Sequence, residues 1–175
     1  MEWPLTVHTE SPDGTKAVAA AIAPRCRSGD VVLLIGDLGA GKTVFAQGFA
    51  AALGVEGPVT SPTFTLMRQY ECAAWAPVET LMHADVYRTG SLPEVLDLAL
   101  AELVEEQAVA VVEWGDMAAA VLGPDTLSVT LRVPESSASD AATARDITIT
   151  GQGNWAGRCD ELASALSLLQ PTAAP

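Results

Sequence analysis

The chain has 175 residues, of which 49% are hydrophobic and 18% charged, a composition that excludes a disordered protein and allows one soluble domain with a real core. Nine basic residues face twenty-two acidic ones for a net charge of −13, so a face that grips nucleic acid unaided is not expected. There is no run of eighteen apolar residues, no basic segment ahead of an apolar one in MEWPLTVHTE, and no CxxC among Cys26, Cys72 and Cys159, so no membrane span, signal peptide or disulfide framework is expected and a reducing cytoplasm is.

In chain order, WPLTVHT (3–9) alternates weakly and reads as an edge strand, given Pro4. SPDGTKAVAAAIAPRC opens with a Ser-Pro helix start and predicts a helix over 12–26. GDVVLLIG (29–36) holds five apolar residues between glycines, the pattern of a strand buried on both faces. KTVFAQGFAAALG (42–54) comes next as a helix ended by Gly54. TFTLMRQYE (63–71) and VETLMHADVY (78–87) read as strands of a hairpin.

SLPEVLDLALAELVEEQ (91–107) has helical spacing, and AVAVVE (108–113) is a second fully apolar strand. LSVTLRV (127–133) and RDITIT (145–150) alternate strictly and read as half-exposed antiparallel additions around a polar loop. WAGRCDELASALSLL reads as a closing helix. The expected fold is therefore α/β, a mixed central sheet with parallel strands flanked by antiparallel ones. It forms one domain over 1–170, with 171–175 a frayed tail.

The first apolar strand runs straight into Gly36-Asp37-Leu38-Gly39-Ala40-Gly41-Lys42-Thr43, a Gly-x4-Gly-Lys-Thr phosphate loop in the strand–loop–helix setting that the motif requires. The glycines let the backbone turn tightly and offer bare N–H groups to phosphate oxygens, and the start of the next helix adds its partial positive charge. Lys42 is placed to reach the β- and γ-phosphates, and the Thr43 hydroxyl to ligate Mg²⁺. With only two lysines in the chain, Lys16 and Lys42, a chance match is rare. A second acid at the end of a neighbouring buried strand completes such a metal shell, and Glu113 ends AVAVVE. The alternative is a Glu that marks where the strand exits to water. The single asparagine, Asn154, precedes Trp155, so no Asn-Lys-x-Asp guanine motif exists and ATP is favoured over GTP.

GDLGAGKT, then SPTFTL (61–66), HADVYR (83–88) and VVEWGD (111–116), resemble in order and spacing the TsaE family, also called YjeE. These are small bacterial P-loop ATPases needed for threonylcarbamoyladenosine at tRNA position 37. The resemblance covers roughly residues 5 to 170 and implies a P-loop NTPase-like three-layer fold. It also implies that Gly36 to Lys42 hold the triphosphate, that Thr43 and Glu113 hold Mg²⁺, and that Ser61, Pro62 and Thr63 form a switch-like loop by the γ-phosphate. By the same resemblance Asp85 orients or deprotonates the attacking water, and Trp114 lies beside the site. The family commonly has Glu-Trp-Pro where this chain has Glu113-Trp114-Gly115, a departure with little expected effect. The segment Thr9 to Pro12 is a base-side candidate by resemblance.

The implied activity is slow ATP hydrolysis stimulated by two partners, the transferase TsaD and its companion TsaB, with tRNA reached only through them. Without the resemblance, SPT is an ordinary turn or cap, Asp85 a turn residue, and Tyr87 and Arg88 core packing and a surface ion pair. His83 reads as a packed or surface histidine outside the catalytic set. Solvated strand edges account for Arg132 and Arg145. Two rivals remain open: a small-molecule kinase, and a nucleotide sensor that does not hydrolyse.

Overall fold

Seven strands form one sheet in the computed structural model, which describes residues 2–62, 67–87, 107–116, 119, 125–134 and 143–169. They are Leu5–Thr9 (β1), Val31–Ile35 (β2), Met67–Glu71 (β3), Thr80–Asp85 (β4), Ala108–Glu113 (β5), Thr126–Arg132 (β6) and Arg145–Gly151 (β7), in the order β1-β7-β6-β2-β5-β4-β3. β2 runs parallel to β5 and β6, and β4 parallel to β5. β1–β7, β6–β7 and β3–β4 are antiparallel. The expected mixed sheet, the edge position of β1 and the 67–71/80–85 hairpin are all present. The expected helix over 91–107, the start of the 63–71 strand and the 171–175 tail lie outside the described residues, apart from Gln107 and Met67–Glu71 themselves.

The two apolar runs are continuous because both sheet faces are covered. Val32, Leu34, Val109 and Val111 belong to a core that includes Val18, Ile22, Phe45 and Phe49. Their neighbours Val31, Leu33, Ala110 and Val112 pack on the opposite face with Met82 and Val86. Each of these Val and Leu side chains contributes about 1.5–3 kcal/mol by leaving water. β6 differs from expectation in orientation, because it joins β2 in parallel before β7 turns back. Its alternation comes from one buried face, carrying Leu127, Val129 and Leu131, and one half-buried face. A half-covered strand alternates whichever way its neighbour runs.

The first helix, Pro12–Ile22 (α1), starts where Ser11 accepts a hydrogen bond from the Gly14 N–H at 3.2 Å, with Pro12 and Asp13 in the first turn. It stops short of residue 26. Pro24 has no N–H to continue the ladder, and Ala23–Arg25 tighten into a 3₁₀ turn. The second helix, Lys42–Ala52 (α2), packs against α1, and its exit passes through Gly54 at φ +72°. The closing helix spans Cys159–Ser167 (α3) and is preceded by a 3₁₀ segment, Gly153–Arg158, that buries Trp155.

Arg158 joins this last segment to the start of β2. Its guanidinium makes a buried two-point pair with Asp30, with Nη2 donating to Oδ1 at 2.9 Å, and lies 4.1 Å above the Trp155 ring. Removing one partner leaves a buried charge alone. Asp30→Ala is expected to lower unfolding stability by about 3–5 kcal/mol in urea titration. A loss below about 1 kcal/mol would contradict the anchoring role.

Candidate functional site

The carboxyl ends of β2, β4 and β5 lie side by side, and each delivers one part of the site. Register sets this: Asp85 pairs with Glu113, and Glu113 with Leu34, one residue before the end of β2. The loop that leaves β2 returns as α2, whose N-cap is Gly41 at φ +104°, a left-handed conformation that glycine adopts without a Cβ penalty. Leu38, at the loop tip, is 90% exposed.

Lys42 and Thr43 begin α2 and point into a cavity of about 660 Å³. Leu38, Gly39, Gly41, Lys42, Thr43, Ser61, Asp85, Tyr87, Glu113 and Trp114 are among the residues lining it. Lys42 Nζ donates to the carbonyls of Gly36 at 2.6 Å and Asp37 at 2.9 Å, and sits 3.8 Å from the centroid of the Trp114 ring. Burial pulls its pKa below the ordinary lysine value, against the upward pull of Glu113, Asp85, Asp116 and Asp37. The ammonium is thus partly stripped of water, the condition in which an arriving phosphate interacts with it most strongly.

Thr43 Oγ1 donates to Glu113, at 3.0 Å from Oε1 and 3.3 Å from Oε2. Two hard oxygen donors converge here on the side of the cavity next to Lys42. That donor set fits a magnesium ion carried in with phosphates, which takes one or two protein ligands and leaves the rest of its shell to water and phosphate. Among the described residues no group of three His, Cys, Asp or Glu side chains could hold a metal without such help. Ser61 Oγ donates to Asp85 Oδ2 at 3.3 Å, and the Tyr87 N–H to Asp85 Oδ1 at 3.0 Å, so the Asp85 carboxylate is held from both sides at the cavity wall.

Every phosphate, metal or catalytic candidate within the described stretches therefore falls on the loop or the cavity wall. Thr63 and Arg88 lie outside the described residues. Three residues are given more to do than their sequence context suggested. Tyr87 is 54% exposed, and its ring lies 4.5 Å from that of Trp114 at a tilt of 34°, not in the core. His83 is fully buried, and its Nε2 lies 2.9 Å from Glu113 Oε1. The available signal was period two on one strand, which puts His83 on the same face as Asp85. Arg145 is not simply solvated at a strand edge. Its Nε donates to the carbonyl of Ala40 at 2.7 Å and its Nη2 to that of Gly39 at 2.9 Å. No local pattern in the sequence foretold that contact across more than a hundred residues.

Trp114 holds φ +61°, rare for a residue with a side chain and worth about 1–3 kcal/mol of strain. Gly115 comes directly after it. A Cβ at Gly115 would lie 2.5 Å from Leu33 Cβ and 2.9 Å from Leu33 Cα. Glycine at this position thus has a local cause, because β2 passes too close for any side chain.

Sheet order and glycine loop together define a P-loop-type α/β protein. Comparison with known proteins places it more closely. The sequence model of the family described as "Threonylcarbamoyl adenosine biosynthesis protein TsaE" matches residues 9–143. A protein of Bacillus subtilis (strain 168) named "tRNA threonylcarbamoyladenosine biosynthesis protein TsaE" is 40% identical over 159 residues, covering 90% of this chain and 93% of its own. A Streptomyces coelicolor protein of the same name is 41% identical over 137 residues, 77% of this chain and 89% of its own. The crystal structure of Bacillus subtilis YdiB superposes with a TM-score of 0.71 at 34% identity, over 94% of this chain and 97% of that one. The chain belongs to the TsaE family.

Gly115→Ala should cost about 1–3 kcal/mol of stability by overpacking against Leu33, as read from urea midpoints. A variant as stable as the parent would contradict the packing reason given for glycine at this position.

Proposed function

We propose that the chain, as one nucleotide-binding unit over residues 1–170, binds Mg·ATP in this cavity and hydrolyses it slowly. It thereby serves threonylcarbamoyladenosine formation at tRNA position 37, acting in the cytoplasm on the TsaD–TsaB pair. The observation that carries the reading is the convergence of Lys42, Thr43, Glu113 and Asp85 on one cavity at the carboxyl ends of three adjacent strands. Membership of the TsaE family supplies the biological direction.

In this reading the Gly36–Lys42 backbone cradles the phosphates, and Lys42 exchanges its two carbonyl partners for phosphate oxygens. Thr43 and Glu113 would hold Mg²⁺, which when bound neutralises charge on the β- and γ-phosphate oxygens. Asp85 orients the attacking water and accepts its proton, with Ser61 and the Tyr87 N–H fixing the carboxylate. Ser61, Pro62 and Thr63 form the loop that responds to the γ-phosphate. Weak activity in isolation is consistent with Lys42 being engaged by carbonyls and the Trp114 ring before any nucleotide arrives. The net charge of −13 suits a protein that acts on a tRNA-binding partner and does not grip RNA itself.

Hydrolysis measured alone and with the TsaB and TsaD proteins of the same organism tests this. The expected result is a slow basal rate, raised by the pair and abolished by chelating Mg²⁺. In Asp85→Ala, kcat should fall by about 100-fold or more with ATP affinity largely kept. Fast hydrolysis without partners, phosphate transfer to a metabolite, or equal loss of binding and turnover in Asp85→Ala would each count against it.

A further inference from the structure

We infer that Arg145 is a positioning residue of the phosphate loop, setting the orientation of the peptides at Gly39 and Ala40. The inference rests on the nucleotide reading above and extends it to a residue just beyond the 9–143 stretch matched by the family. Arg145 is the first residue of β7 and reaches the loop from outside the cavity wall. Two of its guanidinium nitrogens take successive loop carbonyls, Nη2 that of Gly39 at 2.9 Å and Nε that of Ala40 at 2.7 Å. The third, Nη1, donates to the carbonyl of its own neighbour Ala144 at 2.6 Å. A planar fork held at three points is already oriented before the loop is engaged.

In a planar trans peptide, C=O and N–H point opposite ways. An Ala40 carbonyl held outward by Arg145 therefore turns the Gly41 N–H toward the opposite side, where Gly41 lines the cavity. The Ala40 N–H is used by the turn itself, donating to the Asp37 carbonyl at 3.1 Å. Loss of the guanidinium leaves the Gly39–Ala40 peptide with its turn bond alone and frees the Ala40–Gly41 peptide to rotate, and a cradle that must be ordered by its ligand binds that ligand more weakly. Arg145 is in turn seated by the sheet. Its backbone pairs with Thr9 of β1, whose hydroxyl donates to the Arg145 carbonyl at 3.4 Å. The phosphate loop is thus tied to the far, antiparallel end of the sheet as well as to β2.

The test is calorimetric titration of Mg·ATP into the full chain and its Arg145→Ala and Arg145→Lys variants, with thermal unfolding of each. Arg145→Ala should weaken Mg·ATP about 10- to 100-fold, the range for losing charge-assisted hydrogen bonds, with Arg145→Lys intermediate. In hydrolysis the loss should fall on KM and not on kcat, and millimolar guanidinium should restore part of the affinity of Arg145→Ala. Binding within twofold of wild type in both variants would overturn the inference. So would weak binding in Arg145→Ala that guanidinium does not restore and that tracks a general loss of folded protein. A wild-type chain that does not bind Mg·ATP would overturn the inference and the nucleotide reading together.

Discussion

A single buried ammonium sets the terms for the site. Lys42 is almost wholly removed from solvent, at the point where the central strand becomes a loop and the loop becomes a helix. A charge in that position is costly unless it is hydrogen-bonded. Two loop carbonyls and the face of Trp114 satisfy it, and each demands something of the chain. The carbonyls of Gly36 and Asp37 turn to meet it, in a loop whose Gly36, Gly39 and Gly41 all hold positive φ. The indole lies beside the ammonium on a residue, Trp114, that holds a left-handed backbone, and Gly115 follows where β2 leaves no room for a side chain.

The acids are placed from the same point. β5 ends in Glu113 and β4 in Asp85, and parallel pairing brings the two strand ends level. Glu113 is shared between Thr43 on the helix and His83 on the neighbouring strand, so strand, helix and metal-binding candidate are joined through one carboxylate. A hydrogen-bonded carboxylate of this kind is the arrangement that commonly holds a metal ligand in place. Around this cluster the apolar layers give the support, with α1 and α2 covering one face of β2 and β5.

Much of this was legible in the sequence because its signals are local. Five apolar residues between glycines announce a buried strand, and Gly-x4-Gly-Lys-Thr announces a glycine-rich loop and the helix that opens from it. Ser11 and Pro12 mark a helix start, and the structure places the cap there. The features that escaped were set by tertiary pairing. The alternation of β6 records a half-covered face and carries no information about its parallel partner. Arg145 looks like any strand-edge arginine until β7 folds beside β6 and brings it to the loop. His83 looks like packing until Glu113 is placed next to it. The Asp30–Arg158 pair joins residues 128 apart in sequence. The boundary at Pro24 was readable, since proline ends a hydrogen-bond ladder, but the alanine-rich run concealed it.

The most direct measurement is equilibrium binding of Mg·ATP to the purified chain and to Lys42→Ala. Saturable one-to-one binding by the chain, weakened at least about tenfold in a folded Lys42→Ala variant, is the expected result if the buried ammonium serves the triphosphate. Equal affinity in the two proteins, or no binding to either, would contradict the claim that this loop is a nucleotide site.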